Sequence, residues 1–210
     1  MLSIHTIVNK PVSSNCFVLY DNSVGHECIV VDPGSKGDDD LFAFLEEEGL
    51  EPQYIILTHE HFDHCWGVNE LVKKYNVPIV CSKQCANCIK YEKRNCSVFY
   101  DNNESFVINS PSISVEELNY VLPFAGTELR FFASPGHTDA SVCLTAGRCI
   151  FTGDTLIKDL RTVTKLPTGS MVKLLETKER LLQLKGKEYI VYPGHGDIFD
   201  FDQYDIKKII

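Results

Sequence analysis

The sequence predicts a single α/β domain of mixed, layered architecture, and three observations carry that expectation. Short apolar and β-branched runs of strand length recur at 4–8, 16–20, 28–31, 54–57, 78–81, 129–133, 141–145, 149–151 and 189–192, bounded by Gly, Pro, Asp or Asn. Turn-like connections join the first three runs while helical patterns separate later ones, so part of the sheet is expected to be antiparallel. The 210 residues suit one hydrophobic core, since ~150 residues already bury about 70% of their unfolded surface.

Three helices are expected. Residues 39–48 put Leu41, Phe44 and Leu45 on one face, and 66–75 align Val68, Leu71, Val72 and Tyr75. Residues 170–184 align Val172, Leu175 and Leu182, with Ser170 as N-cap. The polar residues 95–127 have no clear pattern, so 82–127 reads as an irregular excursion from a domain spanning 1–210.

Composition narrows the function. Hydrophobic residues make up 44% and charged residues 23%, which excludes disordered and collagen-like chains. No run approaches the ~20 apolar residues of a membrane span. Twenty basic against 29 acidic residues give a net charge of −9, a field that repels nucleic acid and anionic lipid and leaves a small molecule as the expected substrate. The nine cysteines are odd in number and follow no signal-peptide pattern, which predicts reduced thiols and a cytoplasmic protein.

The chemistry concentrates after the run at 54–57, in Thr58-His59-Glu60-His61-Phe62-Asp63-His64. His137 in Pro135-Gly136-His137, Asp154 in Gly153-Asp154-Thr155 and His195 in Pro193-Gly194-His195 each follow another strand-like run. Ligands of open α/β sheets gather at strand carboxyl ends. Packing His and carboxylate there without a counter-charge costs several kcal/mol. A divalent cation removes that cost, and imidazole with carboxylate suits zinc, iron or manganese.

These motifs resemble the metallo-β-lactamase superfamily of hydrolases, from Val31-Asp32-Pro33-Gly34 through the histidine-rich segment to Pro193-Gly194-His195-Gly196. The resemblance implies a four-layer αββα sandwich of mixed sheets with two divalent metals, zinc first and iron or manganese as alternatives. It implies that His59, His61 and His137 hold one metal, that Asp63, His64 and His195 hold the other, and that Asp154 bridges them. Asp32 looks like a supporting carboxylate beneath the ligand loop. Asp63 and Asp154 become the catalytic carboxylates, and the Gly-Asp-Thr context is similar to glyoxalase II, a thioester hydrolase. The commonest zinc β-lactamases have Cys at the bridging position, where this chain has Asp154. Three departures stand out: Thr162-Val163 where compact relatives often have Gly-Arg, Ala140 in place of a glycine, and an end at Ile210 without a helical glutathione-binding domain.

Lys158, Arg161 and Lys165 follow Asp154 and are candidates for a substrate carboxylate. Cys81, Cys85 and Cys88, with Cys96 beyond, overlap iron–sulfur spacings but also fit packing as small apolar residues. Rival readings are a mono-iron persulfide dioxygenase on His59, His137 and Asp154, a lactone or phosphodiester hydrolase, and a non-catalytic metal-binding protein.

Overall fold

A computed structural model describes residues 2–37, 39–100, 103–110, 112–115 and 120–209, and the chain divides into two compact units, Met1–Ser114 and Val115–Ile210. Among the described residues no helix is long and apolar enough to cross a membrane.

The first sheet runs in the order β1 (Ser3–Val8), β2 (Asn15–Tyr20), β3 (Glu27–Val31), β4 (Glu51–Ile56), β5 (Ile79–Ser82), β6 (Ser112–Val115). β1, β2 and β3 form the expected antiparallel meander. β3, β4 and β5 are parallel, joined by crossovers that contain α1 (Asp39–Glu47) and α3 (Val68–Tyr75). The carboxyl ends of three neighbouring strands therefore share one edge. β3 and β5 are buried as continuous apolar runs from Cys28 to Val31 and from Ile79 to Cys81, the usual state of parallel strands. α1 buries Leu41 and Leu45, and its Phe44 stacks on His5 at 3.7 Å. α3 buries Val68 and Leu71, as its spacing predicts.

In the second unit the order is β12 (Phe199–Asp200), β11 (Ile190–Pro193), β10 (Cys149–Gly153), β9 (Val142–Ala146), β8 (Thr127–Ala133), β7 (Val121–Phe124). β7 to β10 form an antiparallel meander, and β11 returns parallel to β10 after α6 (Met171–Leu182). β8, β10 and β11 thus point the same way and end at one edge.

Two expectations are corrected. α6 buries Leu174, Thr177 and Leu181 rather than Val172, Leu175 and Leu182, of which Val172 is 68% exposed. Leu174 and Leu181 enter a core with Ile150, Val191, Phe199 and Phe201, while the Thr177 hydroxyl donates to the Pro135 carbonyl at 2.7 Å. A threonine in the buried stripe hid it from an apolar periodicity. The stretch 82–127 is also not irregular throughout: it holds α4 (Lys83–Cys88), α5 (Ser97–Tyr100), β6 and β7, with 101–102, 111 and 116–119 outside the described residues. β6 and β7 end their sheets, and edge strands are short, part polar and tolerant of a proline such as Pro123.

The nine cysteines form no disulfide, and eight are buried. Cys81, Cys85, Cys88 and Cys96 join no cluster of three or more candidate metal ligands among the described residues. All four are buried, as expected of small apolar residues.

Candidate metal-ligand clusters

In the first unit, Asp32 follows β3 and Thr58 follows the parallel strand β4, so the two lie side by side at one sheet edge. The Asp32 carboxylate is 2% exposed and is a hub. It accepts from Thr58 N at 2.8 Å, from Thr58 Oγ1 at 2.6 Å and from His64 Nδ1 at 3.1 Å. His59 to His61 leave the strand, and α2 (Phe62–Cys65) then carries Asp63 and His64. The His59 ring lies 4.8 Å from that of His61 and 4.3 Å from that of His64, while His64 Nε2 lies 3.6 Å from Asp63 Oδ2. His59, His61, Asp63 and His64 therefore lie close together, beside the Asp32 carboxylate.

This loop is pinned from beneath. The Ser14 hydroxyl donates to the Asp63 carbonyl, and Asn9 Nδ2 donates to both Ser14 Oγ and the Asp32 carbonyl. A Cβ on Gly34 would lie 1.5 Å from the Asp63 carbonyl oxygen, so only glycine fits after Pro33.

In the second unit, His137 follows β8, Asp154 follows β10 and His195 follows β11, the three strands that end at one edge. Asp154 Oδ2 lies 3.6 Å from Nε2 of both His137 and His195. A Cβ on Gly136 would meet the Leu174 Cα of α6 at 2.7 Å, so this turn, too, requires its glycine. Gly194 N donates to the Gly153 carbonyl at 2.8 Å and ties the His195 turn to the Asp154 turn.

Hydrogen bonding fixes which imidazole nitrogen carries the proton. His137 Nδ1 lies 2.8 Å from the Val163 carbonyl, which can only accept, so Nδ1 is the donor. His64 Nδ1 donates in the same way to Asp32. Thr58 spends its proton on Asp32, so its oxygen accepts from His59 Nδ1 at 3.1 Å. In all three rings Nε2 is left as the basic nitrogen, the arrangement that ligating histidines use. The donor set, neutral imidazole with carboxylate, fits a borderline cation such as zinc, iron or manganese.

Sequence reading passed over Thr58 and Val163. Thr58 had a signal, being a hydroxyl residue between a strand and the first histidine. Val163 acts through its carbonyl, which every residue has. The Val163 contact does not depend on side chain, and Thr162 itself is buried, donating to the Thr155 carbonyl at 2.9 Å. Lys158 pairs with Asp197 at 3.4 Å, and Arg161 and Lys165 are exposed.

Comparison with known proteins identifies the family. The family model of the Metallo-beta-lactamase superfamily matches residues 9–195. A probable metallo-hydrolase of Methanocaldococcus jannaschii, MJ0888, is 30% identical over 205 residues, 94% of each chain. A hydroxyacylglutathione hydrolase of Hamiltonella defensa is 27% identical over 185 residues, covering 88% of this chain and 63% of its own. Among solved structures, the B3 metallo-β-lactamase BLEG-1 superposes with a TM-score of 0.86 at 26% identity, over 96% of this chain and 95% of its own. The mixed sheets with their helices are the α/β fold of these proteins, and the chain belongs to the metallo-β-lactamase superfamily.

Proposed function

We propose that residues 1–210 work as one domain in which both clusters form a dinuclear site for hydrolysis of an acyl bond, a thioester first of all, in a small-molecule substrate. His59, His61 and His137 would hold one metal, Asp63, His64 and His195 the other, with Asp154 between them. The observation that carries this reading is the set of three histidines whose Nδ1 atoms are engaged by Thr58, Asp32 and Val163, each leaving Nε2 as its basic nitrogen. A divalent pair, zinc with iron or manganese as substitutes, would supply a nucleophile when bound, since metal binding can lower the pKa of water from 15.7 to about 7. Asp63 would accept a hydrogen bond from the water and orient it, Asp154 would contribute its carboxylate to the metals, and Asp32 holds His64 through Nδ1 at 3.1 Å. Lys158, Arg161 and Lys165 would meet a carboxylate on the acyl part. Nine cysteines without a disulfide suit a reducing cytoplasm.

The thioester is favoured by Asp154 at the bridging position and by likeness to a hydroxyacylglutathione hydrolase. Likeness to BLEG-1 makes β-lactam hydrolysis the second reading. The test is elemental analysis of the purified protein, followed by a panel of thioester, lactone, phosphodiester and β-lactam probes. Near two metals per chain and thioester turnover are expected, with His61→Ala and Asp154→Ala each reducing kcat by about 100-fold or more, the scale of losing one group that stabilises the transition state. Unchanged metal content and rate in both variants would refute the site. One iron per chain, with oxygen consumed on glutathione persulfide, would instead establish the dioxygenase.

A further inference from the structure

A cavity of about 540 Å³ lies in the first unit just after α4, lined by Lys90, Tyr91, Glu92, Lys93 and Arg94. The chain carries a net charge of −9, yet residues 83–94 hold four cations against one carboxylate. Lys10, Lys36 and Lys74 of the same unit each pair with a carboxylate. Lys90, Lys93 and Arg94 form no ion pair among the described residues and are exposed at the cavity wall. Tyr91 stands among them, 62% exposed. Cations beside an exposed aromatic ring match a phosphate ester attached to a base: guanidinium and ammonium groups bind phosphate oxygens, and the ring stacks on the base.

The cavity is coupled to the ligand loop. Asn95 N donates to the Tyr91 carbonyl at 2.9 Å, closing the turn, and the buried Asn95 carbonyl accepts from Phe62 N at 2.8 Å. Phe62 stands between His61 and Asp63.

We infer that this cavity binds the adenosine-phosphate end of a thioester's thiol carrier, a phosphorylated pantetheine-type thiol. This identity of the substrate rests on the thioester reading above; the binding site itself does not. A volume of about 540 Å³ is within the usual ~300–1,000 Å³ of small-molecule sites. Glutathione has carboxylates but no base for Tyr91 and less charge than three cations call for. A long nucleic acid would meet the repulsive field of the whole chain.

The test is calorimetric titration of the metal-loaded protein with coenzyme A and adenosine 3′,5′-bisphosphate, beside glutathione and a single-stranded oligonucleotide. Coenzyme A and the bisphosphate should bind. Lys90→Ala/Lys93→Ala/Arg94→Ala should weaken both by about tenfold, the combined loss of three screened surface contacts. Tyr91→Ala should weaken the bisphosphate but not pyrophosphate. All four side chains are exposed, and an unchanged circular dichroism spectrum confirms that the variants fold. The triple variant should raise KM for acetyl-coenzyme A and leave S-acetyl-N-acetylcysteamine turnover unaltered. Coenzyme A affinity unchanged by the triple variant overturns the site, as does tighter binding of glutathione or the oligonucleotide through the same residues. Coenzyme A binding here with no thioester cleaved would sink the hydrolase reading alone and leave the site standing.

Discussion

Asp32 shows how much of the site one side chain organises. It sits at a φ of 51°, a left-handed conformation that aspartate tolerates better than most residues, and there it receives the Thr58 amide, the Thr58 hydroxyl and the His64 ring. Asp32→Ala strands those buried donors. It should destabilise the metal-free protein by about 2–4 kcal/mol in urea unfolding, and chelator competition should show metal affinity reduced by about 10–100-fold. An Asp32→Ala protein with unchanged affinity would reduce this residue to a turn former. At this scale the sequence was highly legible, because His, Asp and Gly at fixed spacing are rare combinations with few uses. The Val163 carbonyl was not legible, because a main-chain acceptor has no residue-type signature.

At the scale of elements, the strands with apolar runs were readable and the marginal ones were not. β6 and β7 occupy sheet edges, where one side needs no apolar cover, so their composition resembles that of loops. α6 was found, but with the wrong face inward, since Thr177 replaces an apolar residue in the buried stripe. The distinction is measurable. Gly136→Ala forces a Cβ against the Leu174 backbone and should cost about 2–4 kcal/mol. Leu175→Ser, on the 44% exposed face, should stay within about 0.5 kcal/mol of the parent. Equal destabilisation by both in the same denaturation assay would contradict the assigned face.

For the whole molecule, stability is expected to depend on metal and on pH. If seven ligands hold cations only in the native state, chelation removes binding energy from the folded protein, about 4 kcal/mol when free metal stands 1,000-fold above its Kd. Calorimetry should show a lower Tm after EDTA and recovery on adding zinc; a Tm indifferent to both would count against a metal site. The thiols give a separate alkaline dependence. Burial pushes Cys28 and Cys143 from 9.0 up to about 12. Between those values the unfolded chain has lost protons that the native state retains, so folding weakens as pH rises. Each thiol should cost about 1 kcal/mol per pH unit over that window. Urea unfolding under reductant at pH 8 and pH 10 checks the sign, and Cys143→Ala should flatten the slope.

The sequence alone marked which side chains could bind a cation and that they follow strand-like runs, because strand propensity and ligand chemistry are local properties of residue type, whereas the role expected of Asp32 came from a family resemblance. Only the tertiary structure decided which nitrogen of His59, His64 and His137 is basic, which face of α6 is buried and which strands close the sheets. Those outcomes depend on partners distant in the chain, and a partner's carbonyl or hydroxyl leaves no mark on the segment it constrains.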